Sequence, residues 1–256
     1  MWMVEHGRVY KDDEERAVQF AAFRKKWLEI EAFNSRPDRG YKLGINQFSD
    51  CELNPSSCYM METRSNKNSR YSNVPPRNDI SDSWDWSGQG AVTPVKNQLN
   101  CVAKPEAGQT GPTNSSLITR EPRTITRRHN PTCNRTKWSV QITSYVTVKP
   151  NDKEALRQAV VDQPITVAVD ASSCGFKDYC GGVYSEEDCK TKLSHAITVV
   201  GYGVTDEGTK FWILKNSWGT KWGDDKYMRL KRDMPQKEGL CGIAMDTSYP
   251  VIDNYY

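Results

Sequence analysis

The chain has 256 residues, which is enough for one large domain or two small ones with an adequate core. Its formal net charge is only +3, from 35 basic and 32 acidic residues, and this argues against nucleic acid as a partner. Arginines do cluster between positions 120 and 128, but such a cluster is more typical of a solvated loop. No apolar run approaches the roughly 18 residues that span a bilayer, so no membrane partner is expected either.

Residues 12–34 are predicted to form one amphipathic helix. Asp12 and Asp13 provide the acidic start that is typical of a helix N-terminus. Apolar residues then recur at spacings of three and four, which predicts a single buried stripe. The stripe consists of Phe20, Phe23, Trp27 and Ile30.

The next segments are a short strand and a linker. In GINQFSD, over residues 44–50, a set of four residues recurs with period two and predicts the strand. These are Gly44, Asn46, Phe48 and Asp50. From Glu62 to Ser83 the chain is polar and rich in Asn and Pro, which predicts an exposed linker suited to a processing cut.

The C-terminal half combines a helix with several strands. NDKEALRQAVVDQ, over residues 151–163, predicts a helix capped by Asn151 or Asp152, with Ala155, Val160 and Val161 facing inward. Three runs rich in β-branched residues predict strands. They are ITVAVDA at 165–171, AITVVGYG at 196–203 and KFWILKNS at 210–217.

Three short segments together resemble the papain-like cysteine proteases. His195 lies in LSHAITVVGYG, Asn216 follows 21 residues later in KFWILKNSWGTKWGD, and Gln98 lies in AVTPVKNQLNC. That family carries Gln-x-x-Cys-x-x-Cys around its nucleophile, with a His and an Asn far downstream. The resemblance implies an α+β fold with a helical lobe and a β-barrel lobe. It also implies a monomeric endopeptidase precursor of Cys-His-Asn design, without a cofactor, whose active relatives cleave peptides or proteins.

The N-terminal part resembles the family's inhibitory prodomain. Four residues fall on its helix pattern, namely Glu15, Phe23, Ile30 and Asn34. Gln19 and Lys26 replace the family's Arg and Asn, and we expect them to weaken the packing of the helix. Residues 44–50 match the second prodomain motif completely. The resemblance therefore implies a zymogen with a prodomain at 1–60, a processing linker at 61–83 and a peptidase domain at 84–256, and its prodomain is a candidate inhibitor of other papain-like proteases.

The nucleophile of the family is missing. Cys101 fills the position of the structural cysteine, and Lys104 stands three residues later at the position of the nucleophile. The helix that follows the nucleophile in the family is excluded by Pro105, Gly108, Gly111 and Pro112. Only 91 residues separate position 104 from His195, against roughly 130–150 in papain-type enzymes. The sequence thus predicts a deletion within about 102–132 that removes most of the helical lobe and retains the β-barrel lobe.

The resemblance also implies roles for the residues that remain. His195 would be the base, Asn216 would orient its ring, Trp218 would shield the pair and Gln98 would donate to the oxyanion. A satisfied structural histidine is the alternative for His195. Asp246 matches the floor of the pocket for the second substrate residue before the cut, where an acid would favour a basic or polar side chain.

Neither Cys101 nor Lys104 is expected to replace the nucleophile. Cys101 occupies a disulfide position without a helix dipole, and Lys104 would need a strongly lowered pKa together with a suitable partner. The sequence therefore predicts an inactive member of the family. The alternatives are a pseudo-protease whose prodomain inhibits related proteases, or a misassembled gene product in which an exon between 101 and 133 was missed.

Eight cysteines and two glycosylation sequons, at Asn114 and Asn134, favour an oxidising compartment. By resemblance this is the secretory pathway, a vacuole or lysosome, or the extracellular space, although no apolar signal core follows the start. The resemblance pairs Cys189 with Cys241 and leaves Cys101 and Cys133 without their family partners, so those two are candidates to pair with each other. No C-x-x-C spacing is present, and we reject a metal site. The sequence assigns no partners to Cys51, Cys58, Cys174 and Cys180.

Overall fold

The computed structural model describes residues 1–50, 77, 79–95, 97, 144–185 and 189–251. Several predictions made from the sequence lie outside the described residues. They concern Cys51, Cys58, Gln98, Cys101, Lys104, Cys133 and the proposed deletion.

The N-terminal segment contains two helices, α1 (Trp2–Glu5) and α2 (Asp13–Asn34), followed by strand β1 (Tyr41–Leu43). The predicted long helix is confirmed. Asp12 caps it, because its side chain accepts a hydrogen bond from the Glu15 amide at 2.8 Å. At the other end, the Asn34 side chain donates to the Leu43 carbonyl at 2.8 Å and accepts from the Leu43 amide at 3.0 Å. These two bonds fix β1 to the end of the helix.

The predicted apolar stripe of α2 is wrong for two of its four residues. Phe20 is 63% exposed and Trp27 is 46% exposed, whereas Ile30 and Lys26 are buried. Phe23 packs on the Trp2 ring at 4.8 Å between centroids. The helix therefore faces the rest of the protein along positions 23, 26, 30 and 33, which also follow helical spacing. The sequence predicted a single stripe, and the observed buried face shares Phe23 and Ile30 with it but contains Lys26 in place of Phe20 and Trp27.

Residues 44–50 do not form the predicted strand but a turn after β1. The side chain of Asn46 explains the difference. It accepts from the Phe48 amide at 2.9 Å and donates to the Lys177 carbonyl at 2.8 Å, while the Asn46 amide donates to Ser49 Oγ at 2.9 Å. Asparagine and serine side chains that bond to nearby backbone in this way compete with strand pairing.

A nine-stranded sheet forms the centre of the described part of the chain. The strands after β1 are β2 (Trp84–Asp85), β3 (Ser144–Thr147), β4 (Ile165–Val169), β5 (Tyr179–Tyr184), β6 (His195–Val204), β7 (Lys210–Lys215), β8 (Tyr227–Lys231) and β9 (Thr247–Val251). Their order is β1-β5-β8-β7-β6-β4-β9-β3, with β2 paired to β6. The β5–β8 pair is parallel and the other pairs are antiparallel. The three predicted strand segments correspond to β4, β6 and β7.

Two further helices pack against this sheet, α3 (Lys153–Asp162) and α4 (Cys174–Asp178). Asp152 caps α3 through the Ala155 amide at 3.0 Å. Of the residues predicted to face inward, Val160 is fully buried, whereas Ala155 and Val161 are partly buried against the core. The largest fully buried side chains belong to Trp212, Trp222, Tyr179, Tyr184 and Tyr202. Each large apolar side chain contributes roughly 1.5–3 kcal/mol on burial.

Candidate active site

Strands β6 and β7 bring His195 and Asn216 together. His195 is the first residue of β6, and Asn216 directly follows the last residue of β7. The two strands are antiparallel, with Thr198 opposite Lys215, so the start of one lies beside the end of the other. His195 Nε2 lies 2.8 Å from Asn216 Oδ1.

The hydrogen bonds around Asn216 determine which imidazole nitrogen carries a proton. Asn216 Oδ1 also accepts from the main-chain amide of Ser217 at 2.7 Å, so this atom is the carbonyl oxygen of the side-chain amide. A carbonyl oxygen can only accept, and His195 Nε2 must therefore donate the second hydrogen bond. Nδ1 then keeps its lone pair and is the nitrogen that can accept a proton.

His195 is held uncharged by its surroundings. It is 9% exposed, and its ring stacks on Trp218 with 4.7 Å between centroids and 26° between planes. Burial lowers the pKa of His195 to about 4, although the hydrogen bond with Asn216 acts in the opposite direction. The imidazole is therefore neutral at pH 7 and available as a base.

An aromatic cluster fixes the ring of Trp218. Its centroid lies 5.0 Å from those of Phe48 and Trp222 and 5.9 Å from that of Phe176. Trp222 is itself anchored, because its Nε1 donates to the Lys177 carbonyl at 2.7 Å. Trp218 therefore covers one face of His195 in a defined orientation and excludes water from it.

A buried lysine holds the segment that leads to Gln98 beside this pair. Lys215 is fully buried, and its Nζ donates to the Thr93 carbonyl at 2.6 Å and to Thr93 Oγ1 at 3.1 Å. Farther along, Asn97 forms a backbone bridge with Trp218. Gln98 follows immediately but lies outside the described residues. Sequence reasoning missed Lys215 and Thr93, although a lysine within the apolar run KFWILKNS was a signal.

Asp246 and His195 lie at the same end of their strands, where β9 and β6 begin. Asp246 precedes β9, and its carbonyl accepts from the Ala168 amide in β4 at 2.9 Å. Ala168 in turn lies opposite Ala196 in β6. The Asp246 backbone is thus two strand spacings, or about 10 Å, from the start of β6. The residue is exposed at the surface near the histidine, although partial burial raises the pKa of the Asp246 carboxyl above its usual value.

A disulfide joins Cys189, before β6, to Cys241, before β9. This is the pairing implied by the resemblance. Cys189 precedes the loop that leads into His195, and Cys241 lies in a 3-10 turn (Leu240–Gly242) shortly before Asp246. Among the cysteines of the described residues, Cys174 and Cys180 are free.

The turn at residues 44–50 sits directly on the ring that covers His195. Gln47 Nε2 donates to the Trp218 carbonyl at 2.7 Å. The Phe48 ring meets Trp218 edge-on at 5.0 Å. The N-terminal segment therefore reaches the candidate site through two consecutive residues.

A buried ion pair between the N-terminal helix α2 and the helix α4 was also missed from the sequence. Lys26 in α2 forms an ion pair with Asp178 at the end of α4, with 2.8 Å between Nζ and Oδ2. Both residues are buried. The expectation that Lys26 weakens the packing of α2 stays a prediction, because a buried ion pair does not by itself show strong packing. The signal in the sequence was a charged residue at helical spacing between Phe23 and Ile30.

Groupings of three or more His, Cys, Asp or Glu side chains that could hold a metal ion are absent from the described part of the chain. Of the helices described, none is long and apolar enough to cross a membrane.

An imidazole base oriented by an asparagine, on an α+β scaffold with an N-terminal helical segment against the site, is typical of a cysteine-peptidase precursor. Residues 104–251 match the model of the papain family cysteine protease, and residues 1–53 match the cathepsin propeptide inhibitor domain (I29). The chain therefore belongs to the papain family of cysteine proteases and carries a propeptide inhibitor domain at its N-terminus.

Its relatives include several plant enzymes. It is 35% identical to the senescence-specific cysteine protease SAG12 of Arabidopsis thaliana, over 98% of this chain and 88% of the relative. It is 34% identical to fruit bromelain of Ananas comosus, over 99% of this chain and 85% of the relative. A solved structure of recombinant stem bromelain precursor superposes with a TM-score of 0.79 at 34% identity, covering 99% and 97% of the two chains. The proform of the ragweed pollen allergen Amb a 11 gives a TM-score of 0.72 at 26% identity, covering 99% of this chain and 93% of that chain.

The alignments also reveal a difference in length. The alignment with the Arabidopsis relative runs over 309 positions, but 98% of the 256 residues here amounts to about 251. About 58 aligned positions therefore hold a residue of the relative and none of this chain. The chain is shorter than this relative within the region that the two share.

Proposed function

We propose that this chain is a papain-family precursor without peptidase activity, whose prodomain binds and inhibits related active peptidases. The observation that carries the first part is Lys104, which stands three residues after Cys101 where the family has its nucleophile. The family reaction requires a thiolate that forms an acyl-enzyme with the substrate. An ammonium group cannot take that role, and the base at His195 then has no thiol to deprotonate.

The sequence after Lys104 and the length of the alignment support this loss. Pro105, Gly108, Gly111 and Pro112 are incompatible with a long helix behind the nucleophile position. We place the missing residues within about 102–132, in the helical lobe. His195, Asn216 and Trp218 then remain as the base half of the catalytic machinery. We assign Gln98 to the oxyanion site and Asp246 to the substrate pocket by resemblance.

The position of the prodomain supports its role as an inhibitor. Gln47 and Phe48 contact Trp218, and Trp218 covers His195. A related active peptidase with the same tryptophan would present the same main-chain carbonyl and ring edge to this turn. We take the prodomain as residues 1–60, the linker as 61–83 and the peptidase domain as 84–256. The Cys189–Cys241 bond agrees with folding in the secretory pathway.

The absence of activity can be measured with a fluorogenic peptide amide. We expect no turnover by the intact chain, by the chain after acid treatment, or after removal of residues 1–74, because the oxyanion site alone gives only a small residual rate. Lys104→Cys should not restore turnover, since the supporting helix is missing. An active papain-family peptidase treated in parallel is the control. Turnover by this chain that an epoxide inhibitor of cysteine proteases abolishes would contradict the proposal.

Inhibition in trans can be tested with residues 1–74 once circular dichroism shows the fragment to be helical. Titrated against an active family member at neutral pH, it should inhibit at micromolar concentration. Phe48→Ala should weaken inhibition because it removes the contact with the tryptophan ring. Phe20→Ala is the matched control, because Phe20 is largely exposed on α2. A helical fragment that does not inhibit at this concentration would rule out the proposed role.

A further inference from the structure

Within the described residues, most polar contacts between the prodomain and the peptidase domain involve main-chain groups of the peptidase domain. They join Tyr41 to Gly182 through the β1–β5 ladder, Gly44 to the Asp178 carbonyl, Asn46 to the Lys177 carbonyl and Gln47 to the Trp218 carbonyl. Every family member with the same backbone offers these groups. Such contacts add affinity, but they distinguish poorly between one peptidase sequence and another.

The ion pair of Lys26 with Asp178 is different because it depends on a side chain of the peptidase domain. The two residues are 152 positions apart and meet only because α2 packs on α4. Lys26 is 6% exposed and Asp178 is 2% exposed. The pair of Lys221 with Glu5 also crosses the interface, at 3.2 Å, but both side chains are about half exposed. Solvent screens that pair, and exposed pairs of this kind contribute little.

Each member of the buried pair depends on the other. Among the described residues, Asp178 Oδ1 has no hydrogen-bond partner, so Lys26 alone bonds to the oxygens of this carboxylate. Although burial alone would lower it, the hydrogen bond with Asp178 raises the pKa of Lys26 above its ordinary value, and the ammonium stays charged. Removing either partner leaves a buried charge without a counter-ion, which is strongly unfavourable.

We propose that Lys26 makes this prodomain selective for papain-family peptidases that carry a carboxylate at the position of Asp178. This inference rests on the proposed inhibition in trans and names its partner class. A peptidase with a carboxylate at this position can pair with the Lys26 ammonium. A peptidase with a neutral or basic residue at this position would bury the ammonium without a counter-ion. Discrimination through an unpaired buried charge is a common source of specificity at interfaces.

The partner class is tested with one active papain-family peptidase in two forms, which carry either Asp or Asn at the position that aligns with Asp178. The inhibitor is the full chain with Asp178→Asn, so that Lys26 has no acidic partner within its own chain. We expect the Asp form to be inhibited at least about tenfold more tightly than the Asn form. Adding Lys26→Met should remove this preference. Adding Lys25→Met, which deletes an exposed charge from the same helix, should preserve it.

The outcomes distinguish the proposed selectivity from the proposed inhibition in trans. Equal inhibition of both peptidase forms would overturn the selectivity and leave inhibition in trans standing. Inhibition of neither form would overturn the proposed function and this inference with it. Tighter inhibition of the Asp form that survives Lys26→Met would also overturn the role of Lys26.

A second measurement needs no partner. In the full chain, hydrogen exchange of the α2 amides should rise at least about tenfold in Lys26→Met and in Asp178→Asn. It should fall back toward the original rate in the double variant, because the unpaired charge is then gone. Effects of the two changes that simply add would show that the pair is not coupled and would overturn the inference.

Discussion

Burial of His195 should make the stability of this protein depend on pH in a defined window. In the folded chain the pKa of His195 is lowered from 6.5 to about 4, chiefly because the ring is removed from water. Between these two values the unfolded chain binds a proton that the folded chain does not bind. The free energy of unfolding should therefore be fully retained above about pH 6.5 and should decrease as the pH falls toward 4.

The size of this effect follows from the shift in pKa. One pKa unit corresponds to about 1.4 kcal/mol, so a shift from 6.5 to about 4 amounts to about 3 kcal/mol in total. Between pH 7.5 and pH 5 the expected loss from this residue is about 2 kcal/mol. This loss is a substantial fraction of the usual total stability of roughly 5–15 kcal/mol, so it should be measurable by equilibrium unfolding.

Urea unfolding at pH 7.5 and pH 5, followed by tryptophan fluorescence, measures the effect in the chain and in His195→Gln. The glutamine does not titrate, so this variant should lose about 2 kcal/mol less stability between the two pH values than the original chain. All carboxylates and the other histidines are common to both proteins and cancel in the comparison. The same loss in both proteins would show that the imidazole is not held neutral by burial.

Three further changes test the contacts that support the site. Replacing Cys189 and Cys241 with alanine should lower the free energy of unfolding by about 3–4 kcal/mol, because the bond joins residues 52 positions apart; a loss below about 1 kcal/mol in urea unfolding would contradict the chain-entropy argument. Trp222→Phe removes one of the two donors to the Lys177 carbonyl, which keeps its hydrogen bond from Asn46, and should therefore cost only about 0.5–1.5 kcal/mol in the same assay. Asn34→Ala removes the acceptor of the Leu43 amide and should accelerate hydrogen exchange of that amide by at least about fivefold. Ser35→Ala is the control, and an unchanged rate in Asn34→Ala would exclude the Asn34–Leu43 contact.

Local features of the sequence were sufficient to predict α2, α3 and the strands β4, β6 and β7. Asp12 and Asp152 cap their helices through amides three residues away, so the N-terminus of each helix could be placed from short-range rules. Strands β4, β6 and β7 are rich in β-branched residues and bounded by turn residues, which is also a short-range signal.

The errors arose where a distant partner decides the local structure. Asn46 holds residues 44–50 in a turn partly through the Lys177 carbonyl, which no pattern within the segment could show. Lys26 is buried because Asp178 meets it, and this contact rotates the buried face of α2 away from Phe20 and Trp27. Hydrophobic periodicity assigns a lysine to the surface, and the predicted stripe therefore left out Lys26 and included Phe20 and Trp27.

The candidate site was reached from the sequence through family resemblance rather than through spacing alone. The 21 residues between His195 and Asn216 have no periodic meaning, and the two meet because β6 and β7 pair in antiparallel register. The tautomer of His195 required the structure, since it follows from the hydrogen bond that Ser217 donates to Asn216. Thr93 and Lys215 belong to the same neighbourhood, and although a lysine within an apolar run indicates burial, no motif shows that these two residues contact each other.

The prodomain strand β1 also has a consequence for colloidal behaviour. It occupies the outer edge of the sheet, where it pairs with β5 between Tyr179 and Gly182. Cleavage that releases residues 1–50 would leave this backbone unpaired, and Gly181 and Gly182 place no side chains there to obstruct another chain. An open edge of this kind is a template for strand pairing between molecules. As long as residues 1–50 remain attached, β1 covers this edge of the sheet, and this cover does not depend on any catalytic group.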